Sequence, residues 1–183
     1  MKKKKGSIEL FISSMILMIV PLIIIMQLRL GQLRTTKNSV EDSLVASNLA
    51  SATVDLKEYG TTNRIVNNDF NNAFNTFLKS LKQNLLLNDS LEQNDKKIIC
   101  SKINIDNFTI YNIVGNDVQF TTRDSLGNVS SSTISNGKDR AKTPDGAIIN
   151  STTVYSKISF KVKGYLNTEY NVYKEKSVDI TDK

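Results

Sequence analysis

The chain has 183 residues, room for one membrane anchor and one modest domain, since single domains usually run about 100 to 150 residues. Its 24 Lys and Arg outnumber its 18 Asp and Glu, but four of the cations are Lys2 to Lys5. Beyond them 20 cations face 18 acids, which excludes the concentrated basic face of a nucleic-acid module. With no His and one cysteine, Cys100, the sequence excludes an intrachain disulfide, the usual zinc ligand sets and Ser-His or Cys-His catalysis. No enzymatic role and no cofactor or metal is therefore expected.

Leu10 to Leu28 is a run of 19 residues without a formal charge. As a helix it measures about 28 Å, close to the roughly 30 Å of bilayer hydrocarbon. Ser13 and Ser14 return hydrogen bonds to carbonyls one turn back and do not spoil the span. Pro21 lacks a donor and crowds the preceding turn, which predicts a kink near mid-span. Lys2 to Lys5 precede the run and only Arg29, Arg34 and Lys37 follow it closely, so the positive-inside rule places the N-terminus in the cytoplasm and the rest outside. A secretory signal shares the basic start and apolar core, but this run is longer than a signal core and no small-x-small cleavage site follows it. A retained single-pass anchor in the cell membrane is the reading.

After the span, apolar residues recur at helical spacing up to Gly60, so the helix is expected to continue out of the bilayer. Val45, Leu49, Ala52, Leu56 and Tyr59 form one stripe, and Leu33, Val40, Leu44 and Val54 a second. Gly31 weakens this helix, and Gly60 suits a left-handed cap after Tyr59. A second, strongly amphipathic helix comes next, with Val66, Phe70, Ala73, Phe74, Phe77, Leu78, Leu81 and Leu85 on one side and Thr62 or Asn63 as its N-cap. Its Phe stripe reads as a core face rather than a partner groove.

Beyond Asn94 helical spacing gives way to alternation. Ile98 to Ile113 reads as a strand carrying Ile103, Ile105, Phe108 and Ile110, Gly115-Asn116-Asp117 as a turn into Val118-Gln119-Phe120, and Leu126-Gly127-Asn128 as a second turn. Residues 135–146, rich in Asn, Gly, Asp and Lys with Pro144, read as a loop. In the strand Thr153 to Tyr165, Val154, Ser156, Ile158, Phe160 and Val162 point one way, and Tyr155, Lys157, Ser159, Lys161 and Lys163 the other, giving one buried and one wet face. Tyr170 to Ile180 is a final strand whose Lys174, Glu175 and Lys176 discourage edge-to-edge pairing.

The expected fold is thus α+β: a single N-terminal transmembrane helix continuing into a long amphipathic helix, and a second helix packed on a C-terminal antiparallel β-sheet. Residues 1–7 form a basic cytoplasmic segment, 8–28 the transmembrane helix, 29–60 its extracytoplasmic extension, and 61–183 the exported head.

Two further groups of residues have a bland and a sharp reading. Asp69, Asp89 and Asp95, and Asp106, Asp117 and Asp124, lack the spacing of a calcium loop and read as turn residues. Lys157, Lys161 and Lys163 with Tyr155 and Tyr165 make a basic, aromatic strand face, read as a solvated surface rather than an anionic-ligand site. Cys100, beside Ile98 and Ile99, is expected to be buried and inert.

The chemically distinctive local sequence is Gly6-Ser7-Ile8-Glu9-Leu10-Phe11: a basic segment ending in Gly, a small polar residue, and an acid just inside an apolar helix. A carboxylate there is costly unless it lies at the interface or meets a cation. Together with the long helix and the small α+β head, this pattern resembles type IV pilin-like proteins, particularly the TadE-like pseudopilins of tight-adherence systems. The resemblance covers the first 60 residues as pattern and the head only as architecture. It implies cleavage by a membrane-embedded prepilin-type peptidase between Gly6 and Ser7, and a role for Glu9 in neutralising the new N-terminal amine of an adjacent subunit. The family's acid usually stands fifth after the cut; Glu9 stands third. The implied function is a minor structural or assembly subunit of a surface pilus or secretion-type apparatus, partnered by the membrane and by other pilin-like subunits or copies of itself. The competing reading is a single-pass, signal-anchored ectodomain that binds a cell-surface or extracellular ligand without assembling. An exported hydrolase has least support, for want of a nucleophile-base pair.

Overall fold

In the computed structural model, which describes residues 3–53, 55–62, 65–95, 98–164 and 168–180, the apolar N-terminal run and its more polar continuation form one helix, α1 (Lys3–Ser51). A short α2 (Leu56–Thr62) and the amphipathic α3 (Phe70–Asn84) come after it. Five strands complete the chain: β1 (Asn104–Val114), β2 (Asp117–Asp124), β3 (Val129–Ile134), β4 (Thr152–Lys163) and β5 (Glu169–Ile180). They make one antiparallel sheet in the order β3-β2-β1-β4-β5. The fold is α+β, as the sequence predicts.

Gly115 and Asn116 are the two loop residues between Val114 and Asp117, which pair as the last rung of the β1–β2 hairpin. Gly115 has φ 65°, a conformation that costs glycine nothing and suits a two-residue hairpin. Between Ile105 and Asn107 the β1–β4 register slips by one. This bulge keeps Ile105 and Phe108 on the same face, and Asp106 Oδ1 accepts a hydrogen bond of 2.8 Å from the Ser159 hydroxyl.

α3 and the second half of α1 cover one face of the sheet. Ala73, Phe77 and Leu81 of α3, Val40 and Leu44 of α1, and Phe108, Ile110, Val154, Ile158 and Phe160 of the sheet share one buried cluster. Phe108 is its hub, with the rings of Phe70, Phe74 and Phe77 at 5.6, 5.4 and 5.0 Å, distances at which aromatic pairs attract. The Phe stripe is a core face.

Several expectations need correcting. α1 ends at Ser51 rather than near Tyr59, where the Asn67 side chain, donating to the Ser51 carbonyl at 3.0 Å, takes up an acceptor that the helix itself leaves open. Gly60 accordingly lies within α2 and outside the left-handed region. The buried face of α1 is not the Val45–Tyr59 stripe, whose Leu49 is 54% and Leu56 79% exposed, but Val40, Ser43, Leu44, Ser47, Asn48 and Ser51. Of the second predicted stripe, Val40 and Leu44 are buried, Leu33 is half-buried, and Val54 falls outside the described residues.

α3 begins at Phe70 rather than Val66, and its N-cap is Asp69, which accepts from the Asn72 backbone N–H at 2.9 Å. Thr62 closes α2, and Asn63 lies outside the described residues. β1 begins at Asn104 rather than Ile98; before it, Ile99 makes only an isolated bridge to Val162.

The face of β4 expected to be wet is half covered. Residues 137–149 fold back over it, so that Tyr155 is 1% exposed in a second cluster with Tyr111, Val118 and Ile149. Asp145 fastens this strap to the sheet edge, accepting from both the backbone N–H and the hydroxyl of Ser177 at 2.8 Å.

Candidate functional site: an uncovered helix and its junction with the head

Gly6, Ser7, Glu9 and Pro21 all lie on α1. The apolar window of this helix is long enough to cross a membrane, and none of it is covered by the other described residues. Phe11 is 70% and Leu17 74% exposed. A patch of this size on a folded protein marks a surface that lipid or another protein covers. Glu9 is exposed one turn from Gly6, and among the described residues a Cβ built on Gly6 would meet nothing within 4 Å. Helix geometry puts Glu9 about 30 Å from Arg29 along the axis. Pro21 sits inside α1, which runs on past it without interruption.

Where α1 meets the head, polar side chains fix it at three levels. Arg29 Nη2 donates to the Lys163 carbonyl at 2.8 Å, while Nη1 donates to Gln32 Oε1 at 3.1 Å. Further along the helix, Glu41 sits between two cations of β5, Lys176 at 3.1 Å and Lys174 at 3.5 Å. The hydrogen bond from Lys176, helped by the charge of Lys174, outweighs partial burial and holds the Glu41 carboxyl below its usual pKa. Beyond that, the fully buried Asn48 donates to the Lys176 carbonyl at 2.9 Å and accepts from the Ser156 hydroxyl at 2.7 Å. Ser43, Ser47 and Ser51 satisfy their hydroxyls within the helix, donating to the carbonyls of Ser39, Ser43 and Asn48. The whole seam spans about 30 Å of helix.

Sequence reasoning missed this seam because it counted apolar residues only. The available signal was the spacing of Ser43, Ser47, Asn48 and Ser51, small or amide side chains three and four apart, which lets a helix approach a sheet closely.

The remaining candidates have defined structural duties. Asp69 caps α3, Asp89 pairs with Lys82 at 3.1 Å, Asp117 accepts from the Asn136 N–H, and Asp124 closes the β2–β3 turn by accepting from Leu126 and Asn128. Those turn bonds, the Asn128 side chain foremost, lower the Asp124 pKa. Among the described residues no three His, Cys, Asp or Glu side chains come together as a metal site would require.

The basic strand face is largely neutralised by β5. Lys157 lies 3.8 Å from Glu175 and over the Tyr173 ring, and Lys161 pairs with Glu169 at 3.2 Å. Tyr155 is buried, with its hydroxyl donating to Glu175 at 2.7 Å; burial first, and Glu175 second, push its phenol well above the usual value. Burial likewise raises Tyr111, with the Asp145 charge adding to it. Tyr165 lies outside the described residues. Cys100 is half-buried rather than buried, its thiol 3.4 Å from the Lys161 carbonyl.

An open cleft of about 540 Å³ runs between Thr35, Ser39 and Val40 of α1 and Leu85, Gln93 and Ile99. Comparison of the chain with protein-family models, curated proteins and solved structures finds no match.

Proposed function

We propose that this protein is a membrane-anchored structural subunit, pilin-like in design, that assembles with copies of itself or related subunits through the first half of α1. The observation that carries the reading is the uncovered apolar window of α1, continuous with a helix that the head grips over three levels. A flexible linker would make the first half a tether; a continuous helix transmits position from the membrane to the head.

In this reading the Lys-rich segment is cytoplasmic and the α+β head is exported. Assembly moves the apolar window out of lipid and against neighbouring windows, exchanging one apolar environment for another. Gly6 and Ser7 flank the processing position, Glu9 receives the amine of an adjacent subunit, and Pro21 provides the bend where packed helices adjust. The small residue Gly6 and the exposure of Glu9 support these roles. No catalytic step is assigned.

Mass spectrometry of the native N-terminus combined with Glu9→Ala tests the reading. The expected result is a chain starting at Ser7 that associates with other copies, and a Glu9→Ala chain that inserts but does not associate. An intact Met1 with no association between copies would overturn it in favour of a ligand-binding ectodomain.

A further inference from the structure

The first residue beyond the apolar run of α1 already touches the head. Arg29 donates to the carbonyl of Lys163, the last residue of β4, across 134 positions of sequence. If Leu28 marks the end of the hydrocarbon, one residue of helix adds only about 1.5 Å, whereas the headgroup layer on each side is about 5 to 7 Å thick. The contact therefore sets the end of β4 at headgroup height, not a domain's length above it.

The surface found at that height has the chemistry of a membrane interface. Val162 pairs with Tyr170, and Lys163 with Glu169, on the last rungs of the sheet. Tyr170 is 56% exposed, yet its ring is seated: a Cβ on Gly164 would fall 2.3 Å from Tyr170 Cε2, so the ring lies directly on glycine backbone. The Gly164 N–H closes the seat by donating to the Thr168 carbonyl at 2.7 Å. An ordered, amphipathic ring beside Arg29 and Lys163 is what the headgroup boundary selects, since tyrosine places its body in the apolar margin and its hydroxyl in water, and long cations reach the phosphates. The opposite end of the sheet, at the Gly115-Asn116 turn, lies about 40 Å away along the strands.

We propose that the β4–β5 end of the head docks into the phospholipid headgroup layer through Tyr170, Lys163 and Arg29, so that the unassembled subunit lies with its head against the membrane. This rests on the membrane-anchored reading above. Leaving the bilayer for an assembly then breaks a head–lipid contact as well as a helix–lipid one.

The chain has no tryptophan, so single substitutions report position directly. The full chain is reconstituted in phosphatidylcholine–phosphatidylglycerol vesicles as Tyr170→Trp, Phe11→Trp and Asn116→Trp. Expected is Tyr170→Trp emission shifted to the blue of Asn116→Trp and quenched by lipids brominated high on the acyl chain. Phe11→Trp is quenched by brominated lipid, and Asn116→Trp is not. Asn171→Trp, an exposed site beside Tyr170 that leaves the Gly164 seat intact, repeats the reading should Tyr170→Trp disturb folding. Absence of lipid quenching at both 170 and 171, with Phe11→Trp quenched, overturns the docking and leaves the anchor standing. Tyr170→Trp emission shifted to the blue but insensitive to brominated lipid means that protein, such as a second copy, covers the site, and also overturns it. Absence of quenching at Phe11→Trp removes the anchor and the docking together.

Discussion

Asn48 and Ser156 meet in a fully buried position between α1 and β4, the Ser156 hydroxyl donating to Asn48 Oδ1 at 2.7 Å while the Asn48 amide donates to the Lys176 carbonyl at 2.9 Å. One side chain thus bridges two strands and sets the register of the helix on the sheet. Asn48→Ala removes the partner of the buried Ser156 hydroxyl and of the Lys176 carbonyl, which costs about 1 to 3 kcal/mol. Denaturant unfolding of the head, measured in the detergent-solubilised full chain, should show that loss, and Asn48→Leu should not restore it.

Phe77 is fully buried at 5.0 Å from Phe108. Phe77→Ala opens a cavity where α3 meets the sheet and is expected to cost about 3 to 5 kcal/mol in the same unfolding measurement. Leu86→Ala, at a side chain 77% exposed, should cost far less.

Glu41 confers a pH dependence of definite sign. Lys176 and Lys174 hold its folded pKa below the unfolded one, so its contribution to stability is complete above the unfolded value, about 4.3, and disappears as pH falls through the folded value. Glu41→Gln should therefore be less stable than the parent at neutral pH, with the gap closing on acidification. Thermal unfolding across that range checks it.

Tyr155 ties the second cluster to β5 through Glu175 at 2.7 Å. Tyr155→Phe keeps the ring and removes a hydrogen bond to a charged group, an expected cost of about 1.5 to 3 kcal/mol. Hydrogen exchange should localise the loosening to residues 137–149 and β5, leaving α3 protected.

Much of this fold was legible because it is written in periods. The three-and-four spacing of Ala73, Phe77 and Leu81 marks α3, and the alternation from Val154 to Phe160 marks β4. Even the bulge leaves a trace, since the apolar residues of β1 and its approach shift from odd positions at Ile103 and Ile105 to even ones at Phe108 and Ile110.

What stayed hidden depends on partners distant in sequence. The end of α1 meets Asn67, which no local capping rule finds. The seam of serines and Asn48 looks polar, and so solvent-facing, until Ser156 and Lys176 arrive opposite it. The strap over Tyr155 has loop composition and becomes a cover once Ile149 packs on Tyr155, Lys138 meets the Asn116 carbonyl and Asp145 reaches Ser177. At the candidate site, the sequence displays Glu9 and the apolar run, while the Arg29–Lys163 contact, made across 134 positions, is a tertiary fact.

Whether copies assemble through α1 is tested most directly by disulfide cross-linking in native membranes, with single cysteines placed around the helix from Phe11 to Leu22 in a Cys100→Ser background. Assembly predicts cross-linked dimers at positions on a restricted face, abolished by Glu9→Ala. Monomers at every position, with or without Glu9, would contradict it.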